Sequence, residues 1–200
     1  MPPARYAELH CRSNFSFLEG ASHPEELIER GRELGLAGLA LTDRDGVYGS
    51  VRFSKAAKSG DFPALVGAEL TLDVPELRPK RRRAPTPQES HAFPRLVLLA
   101  EDETGYANLA RAISTAQLRG RKRDARLQLS DLAGKTAGLI ALSASRQGYA
   151  EEALQRGDIA TARERGGLLR DLFPGRFYFE LQHHLRPEDA RLVLAQLRLA

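Results

Sequence analysis

An α/β barrel built mostly from parallel strands is the fold the sequence predicts, on three observations. Short apolar runs alternate with amphipathic stretches five or six times along the 200 residues, the signature of repeated strand–helix units. No Gly-rich dinucleotide turn follows any of these runs. Polar residues collect at several predicted strand C-termini, where a parallel barrel gathers its reactive groups.

Residues 6–10 read as a short first strand. Ser22-His23-Pro24-Glu25 reads as a capping box, with Pro24 at the first helical position, where its missing N–H costs nothing. The helix it opens runs to about Leu34, buries Leu27, Ile28 and Leu34, and stops at Gly35. Residues 39–42 (LALT) form a continuous apolar run ending at Asp43, as a strand covered on both faces would. A helix over about 49–58 and a strand over about 65–72 follow. The next units are a strand at 95–100 (RLVLLA), a helix at 106–116 and a strand at 138–143 (GLIALS). Residues 149–172 make one or two helices, broken near Gly157-Asp158. A strand at 176–182 (RFYFELQ) and a helix at 187–199 complete the series. Alternation of this kind predicts parallel pairing.

Residues 73–94 break the pattern, with several prolines and the run Arg78-Pro79-Lys80-Arg81-Arg82-Arg83. Nothing there reads as apolar enough to pack, so a disordered basic insertion over about 74–94 is predicted, with a phosphate-contacting arm as the other reading. The last helix lacks a terminating signal, and the single domain over residues 1–200 reads as C-terminally incomplete.

At 42% hydrophobic residues the chain can bury one sizeable core. Its net charge is +4, with the basic side mostly arginine, which suits work near a polyanion without requiring it. A single cysteine excludes an internal disulfide and fits a reducing cytoplasm. No apolar run has the roughly 18 residues a membrane span needs, so a cytoplasmic protein is expected, with no membrane partner.

His10, Asp43 and Glu69 fall at predicted strand ends, Gln182-His183-His184 follows the last strand, and Glu19 lies in the first loop. A histidine and several carboxylates converging from different strands are the usual ligands for two or three divalent metals. His23, beside a helix cap, reads as a local contact, and His91 as a solvated residue of the insertion. On a strand His183 would face away from His184, and Cys11 away from His10.

These residues carry a resemblance. Glu8 to Gly20 (ELHCRSNFSFLEG) is similar to the opening motif of the polymerase-and-histidinol-phosphatase (PHP) family, His-x-His-Ser/Thr-x-x-Ser. Leu41-Thr42-Asp43-Arg44-Asp45-Gly46 resembles its second motif, Thr-Asp-His-Gly, and Val66-Gly67-Ala68-Glu69 its Gly-x-Glu block. Leu96-Val97-Leu98-Leu99-Ala100, Gly105-Tyr106-Ala107-Asn108-Leu109 and Phe179-Glu180-Leu181-Gln182-His183-His184 match in family order over nearly the whole chain. Within the family the resemblance is to the N-terminal PHP domain of bacterial C-family DNA polymerases, and the phrasing SNFSFLEGASHPEEL leans to their error-prone branch.

The resemblance implies a PHP-type distorted (β/α) barrel. It also implies a parent chain that synthesises DNA on a template with Mg2+, in replication or translesion repair. Its expected partners are DNA, the other polymerase domains, and replisome or translesion subunits. No part of these residues resembles the polymerising palm, so no catalytic residue for synthesis is expected here. By position, His10 and His184 match family ligands, Glu69 the bridging carboxylate, and Glu19 replaces an aspartate. Arg12, Arg44 and Arg95 stand where the family has histidines, and arginine has no lone pair to give a metal.

A vestigial, metal-free site is therefore expected, in which the three arginines neutralise Glu19, Asp43 and Glu69. The same guanidinium geometry also suits a phosphate. If the site were active, His10, Glu69 and His184 would hold Mn2+ or Zn2+ for phosphoesterase or exonuclease chemistry. A stand-alone nucleic-acid-binding module using the basic insertion is the third reading.

Overall fold

The computed structural model describes residues 6–77, 93–120 and 124–200. In chain order these form β1 (Ala7–Cys11), α1 (Pro24–Glu33), β2 (Gly38–Leu41), α2 (Ser50–Ser59), β3 (Ala64–Thr71) and β4 (Arg95–Ala100). They continue as α3 (Glu103–Arg119), β5 (Leu139–Leu142), α4 (Tyr149–Gln155), α5 (Ile159–Leu172), β6 (Phe177–Tyr178) and α6 (Pro187–Leu199). The strands form one sheet in sequence order, curled into a half-barrel.

Pairing is parallel for β1–β2, β2–β3 and β5–β6, but β4 runs antiparallel to both neighbours. The sheet is thus mostly parallel, as expected, and β4 is the strand that departs from the parallel pairing the alternation predicts. The 73–94 sequence offers no amphipathic helical face to carry a crossover back to the start of β3. After β4, the 17-residue α3 carries the chain away to where Leu127 bridges Leu72 beside the start of β4, and residues 128–138 return to its end, so Ala100 pairs with Leu139. The reversal matters, because it places Arg95, the first residue of β4, beside Thr71 at the end of β3.

Strand alternation divides the side chains cleanly. On the outer face Ala68, Leu70, Leu96, Leu98 and Ala141 pack with Leu109, Ala112 and Ala116 of α3 and with Leu169 and Phe173 near the end of α5. Leu39 and Leu41 pack outward against Ile28 of α1 and Phe53 of α2, with Cys11 beside them. Each fully buried Leu or Phe contributes roughly 1.5–3 kcal/mol. Inward-facing Ala40, Val97, Leu99 and Leu142 form a smaller cluster, and Glu69 and Arg95 share that inner face.

Several local expectations change. α1 is capped by His23, whose N–H donates to Glu26 (2.7 Å), so the box is shifted one residue from Ser22 and Glu25. Leu34 is 57% exposed, and Leu36 packs in its place. Residues 149–172 do form two helices, with Gly157 at φ 79° and Asp158 capping α5 through the Thr161 N–H (3.0 Å). The predicted strand at 176–182 narrows to Phe177–Tyr178, because β5 is only four residues long and the ladder runs out. The ends of the 73–94 stretch do pack: Val74 and Phe93 are buried, and the Arg126 guanidinium lies 3.5 Å above the Phe93 ring. The basic run at Arg78-Pro79-Lys80-Arg81-Arg82-Arg83 and His91 lie outside the described residues. No helix among the described residues is long and apolar enough to cross a membrane.

Candidate functional site

The inner face carries a cluster of opposite charges at the ends of β1, β2 and β3 and the start of β4. Glu69, fully buried, accepts from Arg12 Nη2 at 2.7 Å on Oε1 and 2.6 Å on Oε2. Arg95 Nη1 reaches the same Oε2 at 3.1 Å, and Arg95 is itself fully buried. Glu19 is held by all three arginines: Arg12 at 3.2 Å, Arg44 at 2.6 Å and Arg95 at 3.2 Å. Arg12 and Arg95 each reach both carboxylates with their planar forks, cross-linking them, and Arg44 adds a third guanidinium to Glu19.

His10 closes the other side. Its Nδ1 donates to both oxygens of Glu180 at 2.9 Å, and its Nε2 lies 3.6 Å from Glu69 Oε1. This contact links the two edges of the half-barrel, β1 and the segment after β6. Burial pulls the His10 pKa down, but the hydrogen bonds to Glu180 and Glu69 outweigh it and raise the pKa to about 9. Burial pushes Glu69 up, yet His10, Arg95 and Arg12 together bring it down to about 2. Glu19 is lowered in the same way, against its burial, by Arg95, Arg44 and Arg12. His10, Glu19 and Glu69 are therefore charged at neutral pH.

Asp43 departs from expectation, for among the described residues its partners are serines and no arginine. Its carboxylate accepts from the Ser13 N–H (2.8 Å), the Ser13 hydroxyl (2.8 Å) and the Ser16 hydroxyl (2.8 Å). The reason is positional: β2 ends under the loop after β1, so the short Asp43 side chain meets that loop before it can reach the guanidiniums. Gly20 lets the loop close, since a Cβ there would sit 2.1 Å from the Ser13 carbonyl oxygen. Asp43→Ala leaves three donors unsatisfied and is expected to cost about 2–4 kcal/mol, measured as a shift in urea midpoint at unchanged m-value.

His184 sits at the rim. It is exposed, its backbone N–H donates to Asp189 (2.8 Å), and no contact of its ring with His10 or Glu69 is among the described interactions. His183 is also exposed and accepts from the Leu185 N–H (3.2 Å). His23 meets Asn14 at 2.9 Å. Burial pushes the Cys11 thiol up to about 11, leaving it inert. Ser13, Ser16, Asp45 and Glu180 are structural participants absent from the sequence-based site. Asp45 binds the Thr71 N–H (2.8 Å) and hydroxyl (2.9 Å). Both serines and Glu180 stand inside the family motifs, so the signal was there, in residue types read as filler between the ligand positions.

The PHP domain model matches residues 8–184. The chain belongs to the PHP domain family. Among its relatives, the error-prone DNA polymerase of Mycobacterium tuberculosis (strain ATCC 25618 / H37Rv) is 41% identical over 187 residues, covering 92% of this chain and 16% of that one. The error-prone DNA polymerase of Cutibacterium acnes is 40% identical over 194 residues, covering 95% of this chain and 16% of that one. The PHP domain described here thus spans about one sixth of the length of the curated relatives it matches. A solved protein of Bifidobacterium adolescentis, assigned as a metal-dependent phosphoesterase, superposes over all of this chain and 85% of its own at a TM-score of 0.48 and 19% identity, too loose a likeness to bear on chemistry.

The family's metals have poor prospects at this PHP site. Guanidinium nitrogens lie 2.6–3.2 Å from the carboxylate oxygens that a divalent ion would need. A second cation would have to displace them against the repulsion of four positive charges. The residues present do not fit a divalent-metal centre.

Proposed function

We propose that this PHP domain is a metal-free structural scaffold of an error-prone-type bacterial DNA polymerase. The supporting observation is the Glu69 carboxylate, buried between Arg12 and Arg95 where a bridging carboxylate would otherwise hold metal. His10, Arg12, Glu19, Asp43, Arg44, Glu69, Arg95 and His184 are then the remains of a catalytic centre converted to load-carrying ion pairs and loop anchors. Polymerisation with Mg2+, and contact with DNA and with replisome or translesion subunits, belong on this reading to the parent polymerase, as does a cytoplasmic location. The family relationship and the error-prone names of the relatives support it.

The competing reading, a phosphoesterase or exonuclease acting through His10, Glu69 and His184, requires a Glu69 free of guanidiniums and a His184 ring turned inward. Incubating the protein with Mn2+ or Zn2+ and an aryl phosphate or 3′-labelled single-stranded DNA separates the two. The scaffold gives no hydrolysis. Metal-dependent hydrolysis that disappears in Glu69→Gln overturns it.

A further inference from the structure

The loop between β1 and α1 carries a feature that the ion-pair cluster does not itself use. Phe17 and Leu18 are 83% and 87% exposed, side by side, and Leu18 has φ 65°. A left-handed backbone is unfavourable for a leucine, and such strain persists only where the surroundings over-determine it. Here they do, from both sides. Upstream, the Ser16 hydroxyl is bound to Asp43 (2.8 Å), and its carbonyl accepts from the N–H groups of Glu19 and Gly20, both at 2.9 Å. Downstream, Glu19 is drawn inward by Arg12, Arg44 and Arg95, which turns its neighbour Leu18 outward. Neither apolar side chain gains burial within this chain in return.

We propose that Phe17 and Leu18 form a preorganised apolar knuckle that docks into an apolar pocket on the polymerase body, the part of the relatives' polypeptide beyond the matched segment. This rests on the scaffold reading and gives the arginine cluster a purpose, as the rigid base that holds the knuckle out. An aromatic and an aliphatic anchor held rigidly before contact lose little freedom on binding, the property of interface hot spots. The occupant is argued from length: the relatives' chains extend far beyond this segment, which covers 16% of them.

The test places this chain in the Mycobacterium tuberculosis polymerase in exchange for the matching segment and compares it with the same chimera carrying Phe17→Ser and Leu18→Ser. Limited proteolysis reads docking as the rate of separation of the PHP domain from the body. The substitutions are expected to speed separation about tenfold or more. In the 200-residue chain alone they should leave the melting temperature unchanged or slightly higher. Equal separation rates overturn the knuckle and leave the scaffold reading standing. An unsubstituted chimera in which the PHP domain is as protease-sensitive as the isolated chain overturns both. A lower melting temperature of the substituted isolated chain shows that the pair serves its own fold, which also overturns the proposal. So does a dimer of the isolated chain, seen by sedimentation, that the substitutions abolish, because the occupant is then a second copy.

Discussion

Replacing Arg95 with methionine is expected to destabilise the protein by about 3–5 kcal/mol, the range for breaking a buried ion pair by removing one partner. Arg95 is fully buried and reaches Glu69 at 3.1 Å and Glu19 at 3.2 Å. Its removal leaves both carboxylates in a low-dielectric interior with less positive charge to answer them. The cost comes mainly from those stranded charges, so combining Arg95→Met with Glu69→Gln should recover part of the loss. Arg95→Lys keeps the charge but cannot fork between two carboxylates, and should fall between wild type and Arg95→Met. Urea unfolding of wild type, these three variants and the Glu69→Gln single variant measures this. Additive losses in the double variant would mean that Arg95 and Glu69 do not act as a pair.

The second large effect lies away from the cluster. Glu151 of α4 is fully buried, and its Oε1 accepts from Gln196 of α6 at 2.8 Å. The same Gln196 amide donates to the Glu180 carbonyl (3.1 Å), and the Glu180 N–H donates to the Ser143 hydroxyl (3.1 Å). Burial raises the Glu151 pKa to about 7, with the polar groups of Ser143 and Gln196 opposing it and the charge of Glu180 adding to it. The folded protein therefore holds a proton up to about pH 7 that the unfolded chain releases near 4.5. Between those values the native state binds more protons, so stability falls as pH rises, and the loss is complete above about 7. Its size is about 3 kcal/mol. Glu151→Gln should flatten this slope and be more stable than wild type at pH 8. Melting curves from pH 5 to 8 decide it, and parallel curves for the two proteins would remove Glu151 from the explanation.

Much of the architecture was legible because it depends on local pattern. The apolar runs at 39–42, 95–100 and 138–143 are strands for the reason the sequence suggests, and the break at Gly157-Asp158 is a real helix boundary. The direction of β4 was not legible, since it depends on which end of the sheet the chain returns to after β3, a long-range outcome. Nor was the shortness of β6, which is set by its partner's length. In the site, the charges of Arg12, Arg44 and Arg95 announced a need for carboxylates, and Glu19 and Glu69 are where they meet. Asp43 satisfied by serines and Glu180 bonded to His10 required three-dimensional reach, which spacing along the chain does not encode.

Metal content by inductively coupled plasma mass spectrometry, on protein purified without chelator and again after excess Mn2+ and desalting, tests the scaffold most directly. Carboxylates held by Arg12, Arg44 and Arg95 predict no stoichiometric metal in either sample. One or more tightly retained ions per chain, lost in Glu69→Gln, would contradict the substitution of guanidiniums for metals and return the site to hydrolytic chemistry.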